Sequence, residues 1–159
     1  MPVYLGLGSN LGDRETTLCQ ALERLGRGVE IGRVSSLYET EPEGAKGQPW
    51  FLNLACEGKT ELPPGRLLRF IQGVEAALGR VRGERFGPRA VDIDVLFYDD
   101  LIMETPHLKI PHPRLHQRAF VLIPLAELAP KLVHPLLGLT VRQLVERLEG
   151  GGEVRRYAK

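Results

Sequence analysis

Cysteine is nearly absent from this 159-residue chain, which carries only Cys19 and Cys56. That excludes a disulfide-built miniprotein, and with no secretory segment at the start it leads us to expect reduced thiols in a cytoplasmic protein. Long apolar runs are also missing, so no membrane-spanning segment is expected. Charge of one sign is lacking too: 21 basic residues meet 20 acidic ones, leaving +1. No global field is available for nucleic acid or an anionic membrane, so any anion site must be local. Aromatics reach only 6%, too few for the aromatic-rich strands of an RNA-recognition sheet. Asparagine is reduced to Asn10 and Asn53, which makes each worth following. What remains is 43% apolar and 26% charged. A chain of this length forms a single domain over residues 1–159, able to bury roughly 70% of its unfolded surface.

Val3 to Leu7 is β-rich, and Asp13 is placed to cap a helix from Arg14 to Leu25 that Gly26 stops. Val29 to Tyr38 reads as one long strand, followed by a polar loop to Pro49. Phe51 to Glu57 alternates as a strand with one apolar face, putting Asn53 beside Phe51. Pro63-Pro64 opens a second helix that ends at Gly79, and a basic loop from Arg80 to Arg89 leads into a strand from Val91 to Tyr98. Further on, Phe120 to Leu128 and Thr140 to Leu148 read as helices, and Val154 to Tyr157 as an edge strand. The leading order of strand, helix, strand, strand, helix, strand predicts an α+β, ferredoxin-like split βαβ fold, with two helices covering one face of an antiparallel sheet.

Three apparent motifs fail on context. The run from Gly6 to Gly12 lacks dinucleotide-fingerprint spacing and a parallel βαβ unit, and is better read as a strand-to-helix turn. Gly58-Lys59-Thr60 ends like a phosphate loop, but Asn53 stands where that motif requires glycine. His112 and His116 are flanked by Pro111 and Pro113, which prevent a zinc-binding helix, although His112 could donate to a phosphate.

Asp92-Ile93-Asp94 carries more chemistry. Residues two apart in a strand share a face, so two carboxylates project together and repel unless a cation lies between them. Magnesium suits such a pair, because it takes one or two carboxylates plus substrate phosphates. A solvated edge-strand pair is the competing reading. Just upstream, Arg66, Arg69, Arg80, Arg82, Arg85 and Arg89 outnumber Glu75 and Glu84. Guanidinium forks bind phosphate oxygens, although a solubilising face has the same composition. Phe51, Phe86 and Phe120 each adjoin polar motif residues, and rings near Asn53 could stack a flat heterocycle while the amide reads its edge.

The chain resembles the 6-hydroxymethyl-7,8-dihydropterin pyrophosphokinase family of folate biosynthesis. The motifs are Gly8-Ser9-Asn10, Ser35 to Thr40, Gln48 to Asn53, Gly79 to Arg82, Arg85 to Asp94, Ile110-Pro111-His112, Arg118-Ala119-Phe120 and Pro124 to Pro130. They occur in family order up to residue 130. The resemblance implies transfer of the β,γ-diphosphate of ATP to the pterin's hydroxymethyl oxygen, releasing AMP, with two magnesium ions. It assigns the metals to Asp92 and Asp94, and catalysis to these two with Arg80 and Arg89. Nucleotide contacts fall on Gln72, Glu75, Arg80, Arg82, Arg89, Lys109, His112 and Arg118. Pterin contacts fall on Thr40, Phe51, Asn53, Phe86 and Phe120. The implied partners are ATP and the pterin alone, with no nucleic acid or membrane, bound by a monomer. The chain departs from the common pattern at Phe86 (often Trp), Phe51 (often Tyr), and Glu41 and Glu43 in the pterin loop. Two other readings, a phosphotransferase with an Asp-x-Asp metal site but no pterin affinity and a non-catalytic binding module, compete with this one.

Overall fold

The computed structural model describes residues 1–42, 49–79, 90–149 and 152–157. The chain runs β1 (Pro2–Ser9), α1 (Arg14–Leu25), β2 (Glu30–Val34), β3 (Tyr38–Thr40), β4 (Phe51–Lys59), α2 (Pro64–Ala77) and β5 (Asp92–Tyr98). A small hairpin of β6 (Met103–Glu104) and β7 (Lys109–Ile110) follows, then α3 (Ala119–Leu128), α4 (Val141–Glu146) and β8 (Val154–Arg156). The main sheet is antiparallel in the order β5, β1, β4, β3, β8, with β2 also on β4. This is the ferredoxin-like α+β arrangement, extended at its far margin by β8.

Local chemistry sets the helix ends. The Asp13 carboxylate accepts from Thr16 N–H at 3.1 Å and satisfies one of the orphan donors of α1. Pro64 opens α2, where its missing N–H has no intrahelical partner to lose. Thr140 and Gln143 cap each other reciprocally at the start of α4.

Two sequence expectations need correction. The strand expected from Val29 to Tyr38 is broken into β2 and β3, both lying along β4. Ile31 pairs with Gly58, Val34 with Cys56 and Tyr38 with Asn53, so this side uses one residue more than β4 in each interval. Ser35 repairs the break: its N–H donates to Ala55 O at 2.8 Å, and its hydroxyl accepts from Ala55 N–H at 2.9 Å. The second correction concerns β4, which buries both faces. Leu52, Leu54 and Cys56 join β1, α1 and α2 in one core, whereas Ala55 joins Leu96, Phe97 and the helices α3 and α4 in another. The sheet is therefore covered on both sides. A bulge opposite Tyr4 and Leu5 turns Phe97 onto the same side as Leu96, filling this second core.

Candidate active site

Strand register builds the site. Gly8 on β1 lies opposite Asp92 on β5 and opposite Asn53 on β4, while Gly6 lies opposite Asp94 and Ala55. Residues opposite each other in a sheet point to the same face. Asp92, Gly8 and Asn53 therefore form one row, and its outer members are two strand spacings apart, roughly 10 Å. The middle of the row has no side chain. A Cβ at Gly8 would collide with Asn53 Oδ1, and one at Gly6 would meet Leu96 Cδ1 at 3.4 Å. The result is a cleft of about 450 Å³ with a backbone floor.

Its walls come from five elements. Thr40, Phe51 and Asn53 form one side, where Asn53 Nδ2 donates to Thr40 Oγ1 at 2.6 Å and fixes the amide's orientation. Phe120 comes from α3, laid over the sheet, with the Arg118 guanidinium 5.5 Å from its ring centre. Leu68, Gln72 and Glu75 line the cleft from α2, and Glu75 Oε2 accepts from Ile93 N–H at 3.0 Å. Asp92 and Asp94 complete the opposite side.

His112 stands at the rim, its Nε2 4.0 Å from Asp94 Oδ1, and its backbone N–H donates to Leu96 O at 3.2 Å. Burial pushes its pKa below the ordinary histidine value; Asp94 opposes this, and Arg118 and Arg114 reinforce it. The ring is neutral at pH 7. Its Nδ1 accepts from Arg114 N–H at 3.4 Å, which puts the proton on Nε2, the nitrogen facing Asp94.

Nine residues singled out in the sequence thus meet in this cleft: Thr40, Phe51, Asn53, Gln72, Glu75, Asp92, Asp94, Arg118 and Phe120. Lys109 does not line it, because its Nζ lies 3.9 Å from Glu104 across the β6–β7 hairpin. Arg66 and Arg69 are exposed on α2 and also stand apart from the lining. Arg80, Arg82, Arg85, Phe86 and Arg89 lie outside the described residues. Sequence reasoning missed the floor, although Gly6 and Gly8, two apart in a strand, are the signal for it. It also missed an adjoining cavity of about 530 Å³, where Arg114, Gly152, Glu153 and Val154 face Thr40, Glu41 and Phe120.

Fold and site together define a ferredoxin-like α+β domain with paired carboxylates facing an aromatic and amide pocket across a glycine floor. Residues 4–130 match the family model described as 7,8-dihydro-6-hydroxymethylpterin-pyrophosphokinase. The chain belongs to this family of pyrophosphokinases. It is 47% identical over 151 residues to a Methylorubrum extorquens protein named 2-amino-4-hydroxy-6-hydroxymethyldihydropteridine pyrophosphokinase, covering 94% of each chain. A Bacillus subtilis protein of the same name is 48% identical over 131 residues, with 81% of this chain and 78% of that one covered. The Dictyostelium discoideum folic acid synthesis protein FOL1 is 41% identical over 152 residues; the match takes in 96% of this chain but only 23% of that one. The crystal structure of wild-type Plasmodium falciparum HPPK-DHPS superposes with a TM-score of 0.75 at 18% identity, covering 92% of this chain and 44% of that one. At that identity the likeness speaks to the fold alone. Among the described residues no helix is long and apolar enough to cross a membrane.

Proposed function

We propose that the chain transfers the β,γ-diphosphate of ATP to the hydroxymethyl group of 6-hydroxymethyl-7,8-dihydropterin, releasing AMP. In this reading residues 1–159 are one domain, acting as a cytoplasmic monomer. The observation that carries it is the Asp92–Gly8–Asn53 row, which sets the Asn53 amide and the Asp92 carboxylate on opposite sides of an open floor, with Asp94 beside Asp92 on the same face. A pterin stacked between Phe51 and Phe120, with its edge on the Asn53 amide, directs its hydroxymethyl arm over Gly8 towards Asp92. The Thr40 backbone is assigned to the same edge.

Asp92 and Asp94 fit magnesium: they are hard oxygen donors on one face, and the Asp94 side chain is 47% exposed, open to water and substrate phosphate. These carboxylates would hold two such ions, which would supply positive charge to neutralise the triphosphate. The chain's own residues do the rest by position and charge. His112 offers its Nε2 proton to a phosphate oxygen. Arg118 supplies positive charge at the junction of the two substrates, and Arg80, Arg82, Arg89 and Phe86 are assigned to the same substrates. Gln72 and Glu75 face the nucleotide, and Lys109 reaches it only by leaving Glu104, an exposed pairing of little strength. The proton of the attacking alcohol passes to water or Asp92, since a loose transition state asks little of a base.

The test is to mix protein, ATP, magnesium and the pterin and to follow AMP by chromatography. AMP forms only in the complete mixture, and Asp94→Asn lowers the rate roughly thousandfold while leaving stability within about 0.5 kcal/mol. Release of ADP, or a near-normal rate in the variant, would sink the reading.

A further inference from the structure

The family match ends at residue 130, yet β8 is built into the rim of the cleft. Val154 pairs with Thr40, and Glu41 N–H donates to Glu153 O at 3.1 Å. Gly152 approaches so closely that a Cβ there would meet Glu41 Cβ at 2.9 Å. One residue past Val154 the side chain turns to the other face of the sheet. There Arg155 donates to Glu39 Oε1 through Nε at 3.1 Å and Nη2 at 2.7 Å, and its guanidinium lies 4.6 Å from the centre of the Trp50 ring. Glu39 Oε2 lies 3.0 Å from Arg14 Nη1, and that same nitrogen donates to Trp50 O at 2.8 Å.

One carboxylate and two guanidiniums thus tie together the start of α1, strand β3, strand β8 and the residue before β4. Glu39 and Trp50 are the chain neighbours of Thr40 and Phe51, which enter the cleft from the opposite face. A single exposed ion pair has little strength, but Glu39 is 18% exposed and shared between two arginines, so the network acts chiefly through geometry.

We propose that Arg155 is a positioning residue for the pterin pocket: through Glu39 and Trp50 it fixes the strands that carry Thr40 and Phe51. The C-terminal strand thereby sets affinity for the pterin and leaves the ATP side untouched. This rests on the function proposed above.

The test is steady-state kinetics of Arg155→Met and Arg155→Lys in the full chain, with acrylamide quenching of Trp50, the sole tryptophan. Methionine keeps an unbranched stem and removes the fork. We expect the pterin KM to rise about tenfold, the ATP KM to stay within about twofold, and quenching to increase. Arg155→Lys restores part of the pterin KM, since it keeps the charge without the planar fork. An unchanged pterin KM alongside increased quenching overturns the proposal, and so does a parallel rise in both KM values. Absence of turnover in the unmodified protein overturns the functional reading and this proposal with it, a case told apart before any variant is compared.

Discussion

A methyl group added at position 8 would land on the Asn53 carboxamide, so an atom the chain lacks decides how this amide is presented. The Oδ1 of Asn53 lies against the Gly8 backbone while its Nδ2 is held by Thr40 Oγ1. Gly8→Ala therefore forces the amide away from the hydroxyl and narrows the passage to Asp92. The expected outcome is a pterin KM raised by about tenfold or more, with ATP binding unchanged, read by kinetics and pterin fluorescence titration. An unaltered pterin KM would show the floor to be indifferent. The importance of Asn53 was legible, because asparagine is scarce here and the residue shares a strand face with Phe51. The task of Gly8 was hidden, since glycine before a helix has a sufficient explanation in the turn, and only the register with β4 reveals the second one.

Helix α3 brings Arg118 and Phe120 to the cleft at its first turn, but it is latched near its other end. Glu127 Oε1 accepts from Tyr38 O–H at 2.6 Å, and its Oε2 accepts from Ser36 N–H at 2.8 Å and from Ser36 O–H at 3.3 Å. The latch fastens α3 to the segment where β2 gives way to β3. Burial, aided by the hydrogen bond to Glu127, pushes the Tyr38 phenol up to about 12. In Glu127→Gln, spectrophotometric titration finds Tyr38 ionising at lower pH, and urea unfolding shows a loss of about 1 kcal/mol, modest because the glutamate is exposed. A phenol still titrating near 12 would assign the whole shift to burial. Helix limits were legible from Asp13, Gly26 and Pro64, each acting through its own backbone or cap. The break between β2 and β3 was not, because it depends on the residues of β4 that face it.

For the molecule as a whole, acid should act in two stages. Burial pushes both His112 and His134 below the ordinary histidine value of about 6.5. The unfolded chain therefore takes up these protons first, and stability is lost as pH falls from about 6.5 through the folded values. Hydrogen bonds from Arg155 and Arg33 hold Glu39 and Glu57 below the ordinary glutamate value of about 4.3. Their contribution is complete above that value and is lost as pH falls through the folded ones. Urea midpoints measured across pH should decline gently below about 6.5 and steeply below about 4.3, with Glu39→Gln flattening the second stage. A profile level from pH 7 to 5 would remove the histidine stage. The strand and helix order of the first hundred residues was enough to give the sheet. The second helical layer was not assignable to a face, because α3 buries Val121, Leu122, Pro124 and Leu125 on successive sides and offers no stripe to read. The sheet's margin at β5 carries a further consequence. An outermost strand invites another chain to add to it and polymerise. Here Ile93 N–H is taken by the Glu75 carboxylate and Leu96 C=O by the His112 backbone N–H, while Asp92 and Asp94 put charge on the same strand. Glu75, Asp92 and Asp94, which line the cleft, thereby also guard this edge against aggregation, so variants that alter them should be judged for solubility as well as turnover.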